Sequence, residues 1–99
     1  MDVIIEREAE KDLKEVKKQN HRSFIRSKLQ ELGTNPTNHE NTKLVRIKNR
    51  HLYRFKMKEG NRGGRDYRAI YDIIEEEIRI IAIFHRDQGY EKELISDRV

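Results

Sequence analysis

Cysteine is absent from the 99 residues, which excludes a disulfide framework, a thiolate metal or cluster site and thiol chemistry, and suits a reducing compartment. Long apolar runs are absent too. None approaches the roughly 20 residues that cross a bilayer, and the opening MDVIIEREAE is acidic where a secretory signal would be basic. The chain is therefore expected to stay in the cytoplasm, away from membranes. The four histidines, His21, His39, His51 and His85, lack the spacing of a metal motif such as HExxH, so neither a metal nor another cofactor is expected. His39 and His51 read as surface residues. No internal repeat and no low-complexity tract interrupts the chain, and its length suits a single domain over residues 1–99.

What the sequence has in quantity is charge. Charged residues make up 40% and apolar residues 34%, so the core must be lean. The charge is unevenly placed: residues 41–70 hold 10 basic and 2 acidic side chains, a net +8, whereas residues 71–99 hold 4 and 8. A positive middle third fits one surface meeting a polyanion, nucleic acid foremost; the competing reading is a solvated charged face.

The β-branched run VIIE suits a short strand. In EAEKDLKEVKKQ, Ala9, Leu13 and Val16 form one helical stripe, and Ile25, Leu29 and Leu32 mark the face of a second helix. Asn20 or Ser23 could cap that second helix, with Gly33, Asn35 and Pro36 as its stop, giving an αα-hairpin. TNPTNHENT reads as a loop. Residues 44–58, 66–75 and 77–85 are β-favouring runs separated by EGNRGG and by Glu75, Glu76 and Glu77, connections too short for parallel returns. The expected fold is α+β in two layers: an N-terminal strand, the αα-hairpin, then a three-stranded antiparallel meander. The helices would cover one face of the sheet and leave the other free. IRIIAIFHRDQGY, apolar on both faces, should lie inside the sheet.

Strand alternation turns Tyr53, Phe55 and Met57 one way and Arg54, Lys56 and Lys58 the other. In the next strand Tyr67, Ala69 and Tyr71 share a side opposite Arg68, Ile70 and Asp72. A symmetric hairpin would set Phe55 opposite Tyr67 and Arg54 opposite Arg68. Facing arginines repel, and a phosphate between them would supply the missing negative charge. Arg86 and Tyr90, at and after the end of the last strand, could hold a backbone phosphate and stack on or hydrogen-bond a nucleotide.

YRFK (Tyr53 to Lys56), DYRAIY (Asp66 to Tyr71) and HR with a later Tyr (His85, Arg86, Tyr90), in that order, resemble the RelE/ParE superfamily of toxins from type II toxin–antitoxin systems. The resemblance covers nearly the whole chain. In its RelE branch it implies a ribosome-dependent endoribonuclease that cuts messenger RNA without a metal, the ribose 2′-oxygen attacking the adjacent phosphorus. Carried over by position, Arg54, Lys56, Arg68, Arg86 and Tyr90 would form the catalytic set. Lys56 or Tyr90 would serve as base, Arg68 would stabilise the phosphorane, and Arg86 would offset charge on the leaving oxygen, since arginine is a poor proton donor. Further RNA or ribosome contacts would come from Lys43, Arg46, Lys48, Lys58, Arg62, Arg65 and His85. His85 points opposite Arg86 by parity and is a weaker candidate for chemistry.

Arg54 stands where some relatives carry lysine, which keeps the charge but not a titratable amine. The resemblance also implies an antitoxin partner covering the helices or the active face. Two other functions remain open: a ParE-like inhibitor of DNA gyrase, in which the full catalytic set is usually missing, and a toxin-fold protein that binds without killing.

Overall fold

A computed structural model describes residues 1–36, 40–60, 65–88 and 95–99 of the chain. His39, Arg62 and Tyr90 lie outside the described residues. The order is β1 (Asp2–Ile5), α1 (Arg7–Lys14), α2 (Gln19–Leu32), β2 (Thr42–Ile47), β3 (Arg50–Glu59), β4 (Arg65–Ile74), β5 (Glu77–His85) and a 3-10 turn (Arg86–Gln88). The α+β class, the N-terminal strand, the helical pair and the strand meander are as the sequence indicates. The meander gains a strand because the run 44–58 breaks at Lys48 and Asn49, both with positive φ (54° and 64°). A pair of left-handed residues matches the twist of the flanking strands, so β2 and β3 join in a two-residue hairpin. Glu75 and Glu76 (φ 50° and 65°) do the same between β4 and β5.

The five strands form one sheet in the order β1-β5-β4-β3-β2. β1 runs parallel to β5, with Val3 against Ile78 and Ile5 against Ile80, and the other neighbours are antiparallel. β5 is interior, as its two-sided apolar pattern requires. The β3–β4 hairpin differs from the symmetric expectation by two residues: Phe55 faces Ala69, Met57 faces Tyr67, and Arg68 faces Lys56 instead of Arg54. A shift of two preserves which face each side chain takes, so the separation of aromatic from basic residues survives. Between β4 and β5, Tyr71 pairs with Ile80 and Ile70 with Ala82, leaving Ile81 as a bulge that reverses the parity of β5.

The helices pack on one face. Ala9 and Leu13 of α1, and Phe24, Ile25, Leu29 and Leu32 of α2, bury against Phe55, Met57, Tyr67, Ala69, Tyr71, Ile78, Ile80 and Ile83. Tyr71 stacks on Tyr53 with ring centroids 5.2 Å apart. Its hydroxyl donates to the Pro36 carbonyl at 2.6 Å, and burial, then the neighbouring Tyr53, pushes its pKa up to about 12. Asn20 and Ser23 lie within α2, whose N-cap is Lys18 with no side-chain cap bond. Gly33 follows α2 as expected, but with φ −59°. The reason for glycine there is space: a Cβ would come within 2.7 Å of the Met1 carbonyl oxygen.

The opposite face is not wholly free. Its one half is a second apolar cluster of Ile47, Leu52, Ile70, Ile81 and Ala82, covered by Ile95 with Val45, Phe84 and Val99 against it. The C-terminal segment is pinned there by Arg98, whose guanidinium donates to both oxygens of Asp12 at 2.7 and 3.0 Å and to the Ile81 carbonyl at 3.1 Å. The other half of that face carries the cations.

Candidate functional site

Three cross-strand pairs define the basic half: Lys43 opposite Arg54, Lys56 opposite Arg68, and Lys58 opposite Asp66. Directly opposed residues in an antiparallel ladder place their Cβ atoms about 5 Å apart, so Lys56 and Arg68 share one small area of surface. Among the described residues, Lys43, Arg54, Lys56 and Lys58 form no ion pair. The Nε of Arg54 is buried without a hydrogen-bond partner among them.

Asp66 was not singled out in the sequence, although its i, i+2 spacing from Arg68 places both on one side of β4. It is 7% exposed, the only buried charged residue among those described. Oδ1 accepts a hydrogen bond from the Arg68 guanidinium, and Oδ2 lies 3.5 Å from Nη1 of Arg86 in the 3-10 turn. Burial alone would push the Asp66 carboxyl up. The hydrogen bond from Arg68 and the charges of Arg68, Arg86 and Lys58 outweigh it and hold the pKa below the usual carboxylate value. Arg68 thus meets a carboxylate from its own strand, and the expected direct opposition of Arg54 and Arg68 does not form. Arg68 is largely buried, with 15% of its side chain exposed, whereas Arg86 is 62% exposed and reaches over the carboxylate from outside.

The other basic candidates are spread more widely. Lys43 and Lys58 sit on the patch. Lys48, in the β2–β3 turn, donates to the Ser96 carbonyl at 3.1 Å, and Arg46 to Asn49 Oδ1 at 3.1 Å. Arg65 lies on the helix side, paired with Glu59 at 3.3 Å and stacked over Phe24 at 5.2 Å. His85 faces the helix side opposite Tyr67, edge to face at 5.1 Å. Its Nδ1 accepts the Asp87 N–H at 3.0 Å, which leaves Nε2 to carry the proton in the neutral ring. Of the five residues in the expected catalytic set, Arg54, Lys56, Arg68 and Arg86 come together on one side of the sheet, and Tyr90 is outside the described residues. No group of three or more potential metal-ligating side chains occurs among the described residues.

This arrangement can hold an anion. Lys56 and Arg54 offer unpaired positive charge, and Arg68 and Arg86 offer planar forks already oriented by a carboxylate.

The fold has a solved counterpart in an arginine-to-alanine double mutant of E. coli toxin RelE in the free state, with a TM-score of 0.66, 17% identity, and coverage of 98% of this chain and 94% of that one. No curated protein matches. The model of the family described as the ParE toxin of type II toxin–antitoxin systems, parDE, matches residues 3–90. A match over nearly the whole chain, on the strand, helical pair and meander described above, establishes that this chain belongs to the ParE toxin family of type II toxin–antitoxin systems, within the RelE/ParE superfamily.

Proposed function

We propose that this toxin is a ribosome-dependent endoribonuclease that cuts messenger RNA, held in check by a cognate antitoxin. The observation that carries the reading is the direct opposition of Lys56 and Arg68, with Arg86 joined to Arg68 through Asp66. Three cations from three elements on one side of the sheet support a phosphate-binding role there. The 2′-oxygen forms a bond to phosphorus as its proton passes to a base, and the bond from phosphorus to the 5′-oxygen breaks. The products are a 2′,3′-cyclic phosphate and a 5′-hydroxyl, whose proton comes from solvent. Lys56 or Tyr90 takes the 2′-proton; Arg68 stabilises the equatorial oxygens; Arg86 offsets charge on the leaving oxygen. Arg54 adds charge along the RNA backbone, with Lys43 and Lys58 beside it.

Primer extension on message from a translation extract tests this. Cleavage is expected with the wild type, and at least about a hundredfold less with Arg68→Ala or Arg86→Ala. Unchanged cleavage in both variants would sink the reading. The family match favours a second reading, inhibition of DNA gyrase, and intact message together with blocked supercoiling would establish it instead.

A further inference from the structure

The basic patch contains a component that works against its own charge. Asp66 sits opposite Lys58 and takes one arginine on each carboxylate oxygen, Arg68 from its own strand and Arg86 from the 3-10 turn. Burying a carboxylate at 7% exposure in the middle of an anion-attracting surface weakens the surface as an anion trap. Part of its role is to pair Arg68, a cation with only 15% of its side chain exposed; Arg86, at the solvent, has no such need. What the carboxylate supplies besides is orientation. Arg86 is 62% exposed and lies in a three-residue turn, so a free guanidinium there would sample many rotamers. The Arg68 guanidinium, seen from the solvent side, is fixed by a charge-assisted bond.

We propose that Asp66 is the positioning residue of this site: it fixes Arg68 and Arg86 relative to one another and, by its charge, limits how tightly the patch holds a polyanion. The two effects have opposite signs on binding and on turnover. Loss of the charge should strengthen RNA binding while loosening the arginines. The turnover half rests on the ribonuclease reading; the binding half does not.

The experiment compares full-length wild type, Asp66→Asn and Asp66→Glu. Affinity is measured with a short fluorescein-labelled single-stranded RNA across a salt series, and cleavage by primer extension at saturating protein. Asp66→Asn is expected to bind about three- to tenfold tighter at low salt, as removal of one nearby negative charge implies. Its salt slope should steepen by about 0.7, the increment for one more effective cation on a single strand. Cleavage should slow by about tenfold or more, because misoriented groups lose rate even when binding improves. Asp66→Glu keeps the charge but moves it by one methylene, so affinity should stay within about twofold of wild type while cleavage remains slowed. Should Asp66→Asn not fold, the glutamate variant decides alone, and wild-type behaviour in both measurements overturns the proposal. Weaker RNA binding by Asp66→Asn, or an unchanged salt slope, also overturns it, as does a wild type that does not bind RNA at low salt. A wild type that binds but leaves message intact refutes the ribonuclease reading, and the binding measurements then decide the role of Asp66.

Discussion

Lys56 on β3 and Arg68 on β4 face each other directly across the ladder, two cations side by side on the half of the sheet that the apolar cluster leaves uncovered. Opposed like charges cost a few tenths of a kcal/mol or more in a sheet, and Arg68 has Asp66 to offset its charge while Lys56 has no ion-pair partner among the described residues. Lys56→Met keeps the length of the stem and removes the repulsion. It should raise stability by about 0.3–0.5 kcal/mol, read as a higher urea midpoint at constant slope, and lower message cleavage by at least about tenfold. A variant that loses stability and activity together would mean that Lys56 is a packing residue.

Asp12 and Arg98 hold the end of the chain to α1. Both side chains are mostly buried, at 17% and 12% exposure, and Oδ2 of Asp12 also accepts the Ile83 N–H at 3.0 Å. Asp12→Ala leaves a buried cation and a backbone donor unpaired, at a cost of about 2–4 kcal/mol. Chemical denaturation should also give the double variant Asp12→Ala/Arg98→Ala a smaller loss than the two single losses combined, by about 1–2 kcal/mol. Additive losses would show that the two side chains do not stabilise one another.

Among the described residues, two titrations contribute to the acid side of the stability curve. The Nδ1 of His21 lies 2.9 Å from the Tyr67 hydroxyl, and burial, then the charges of Lys18, Arg65 and His85, holds its pKa below the ordinary 6.5. The unfolded chain therefore takes up this proton first as pH falls. His21 contributes stability fully above about 6.5 and loses it as pH drops through the folded value. Asp66, also depressed, contributes fully above about 3.8 and loses its share below that. Thermal melts over a pH series should show both slopes, with His21→Asn removing the upper one and Asp66→Asn the lower. An upper slope that persists in His21→Asn would assign it to another group.

Gly33 is in a helical conformation any residue can adopt, so the cost of replacing it comes from crowding alone. A Cβ would sit 2.7 Å from the Met1 oxygen and 3.3 Å from that of Gln30, both backbone atoms. Gly33→Ala should destabilise by about 1–2 kcal/mol in a denaturant titration. A neutral result would show that β1 yields easily at its start.

The fold was legible where hydrophobic period carried it: Ala9, Leu13, Ile25, Leu29 and Leu32 all bury as their stripes require, and Phe55, Met57 and Tyr71 take the helix side. It was not legible where backbone geometry decided without a glycine to mark it. Lys48 and Asn49 adopt left-handed φ with no glycine between them, so one strand became two. The bulge at Ile81 has no composition of its own in an isoleucine-rich strand. Within the site, alternation identified the basic side, whereas the two-residue shift in register could not be read from EGNRGG and changed the partner of Arg68. Asp66 was the clearest omission, since a lone acid in a basic tract reads as surface variation until the fold shows it buried.

The parallel pairing of β1 with β5 bears on when this protein becomes itself. Asp2 is matched to Glu77 and Ile5 to Ile80, so the sheet is not closed until its last strand has emerged from the ribosome, and the clasp between Asp12 and Arg98 spans 86 positions of sequence. Such distant pairings form late, because the intervening chain must first lose its freedom. The nascent protein therefore passes most of its synthesis without a finished sheet, and its maturation is timed by its own topology.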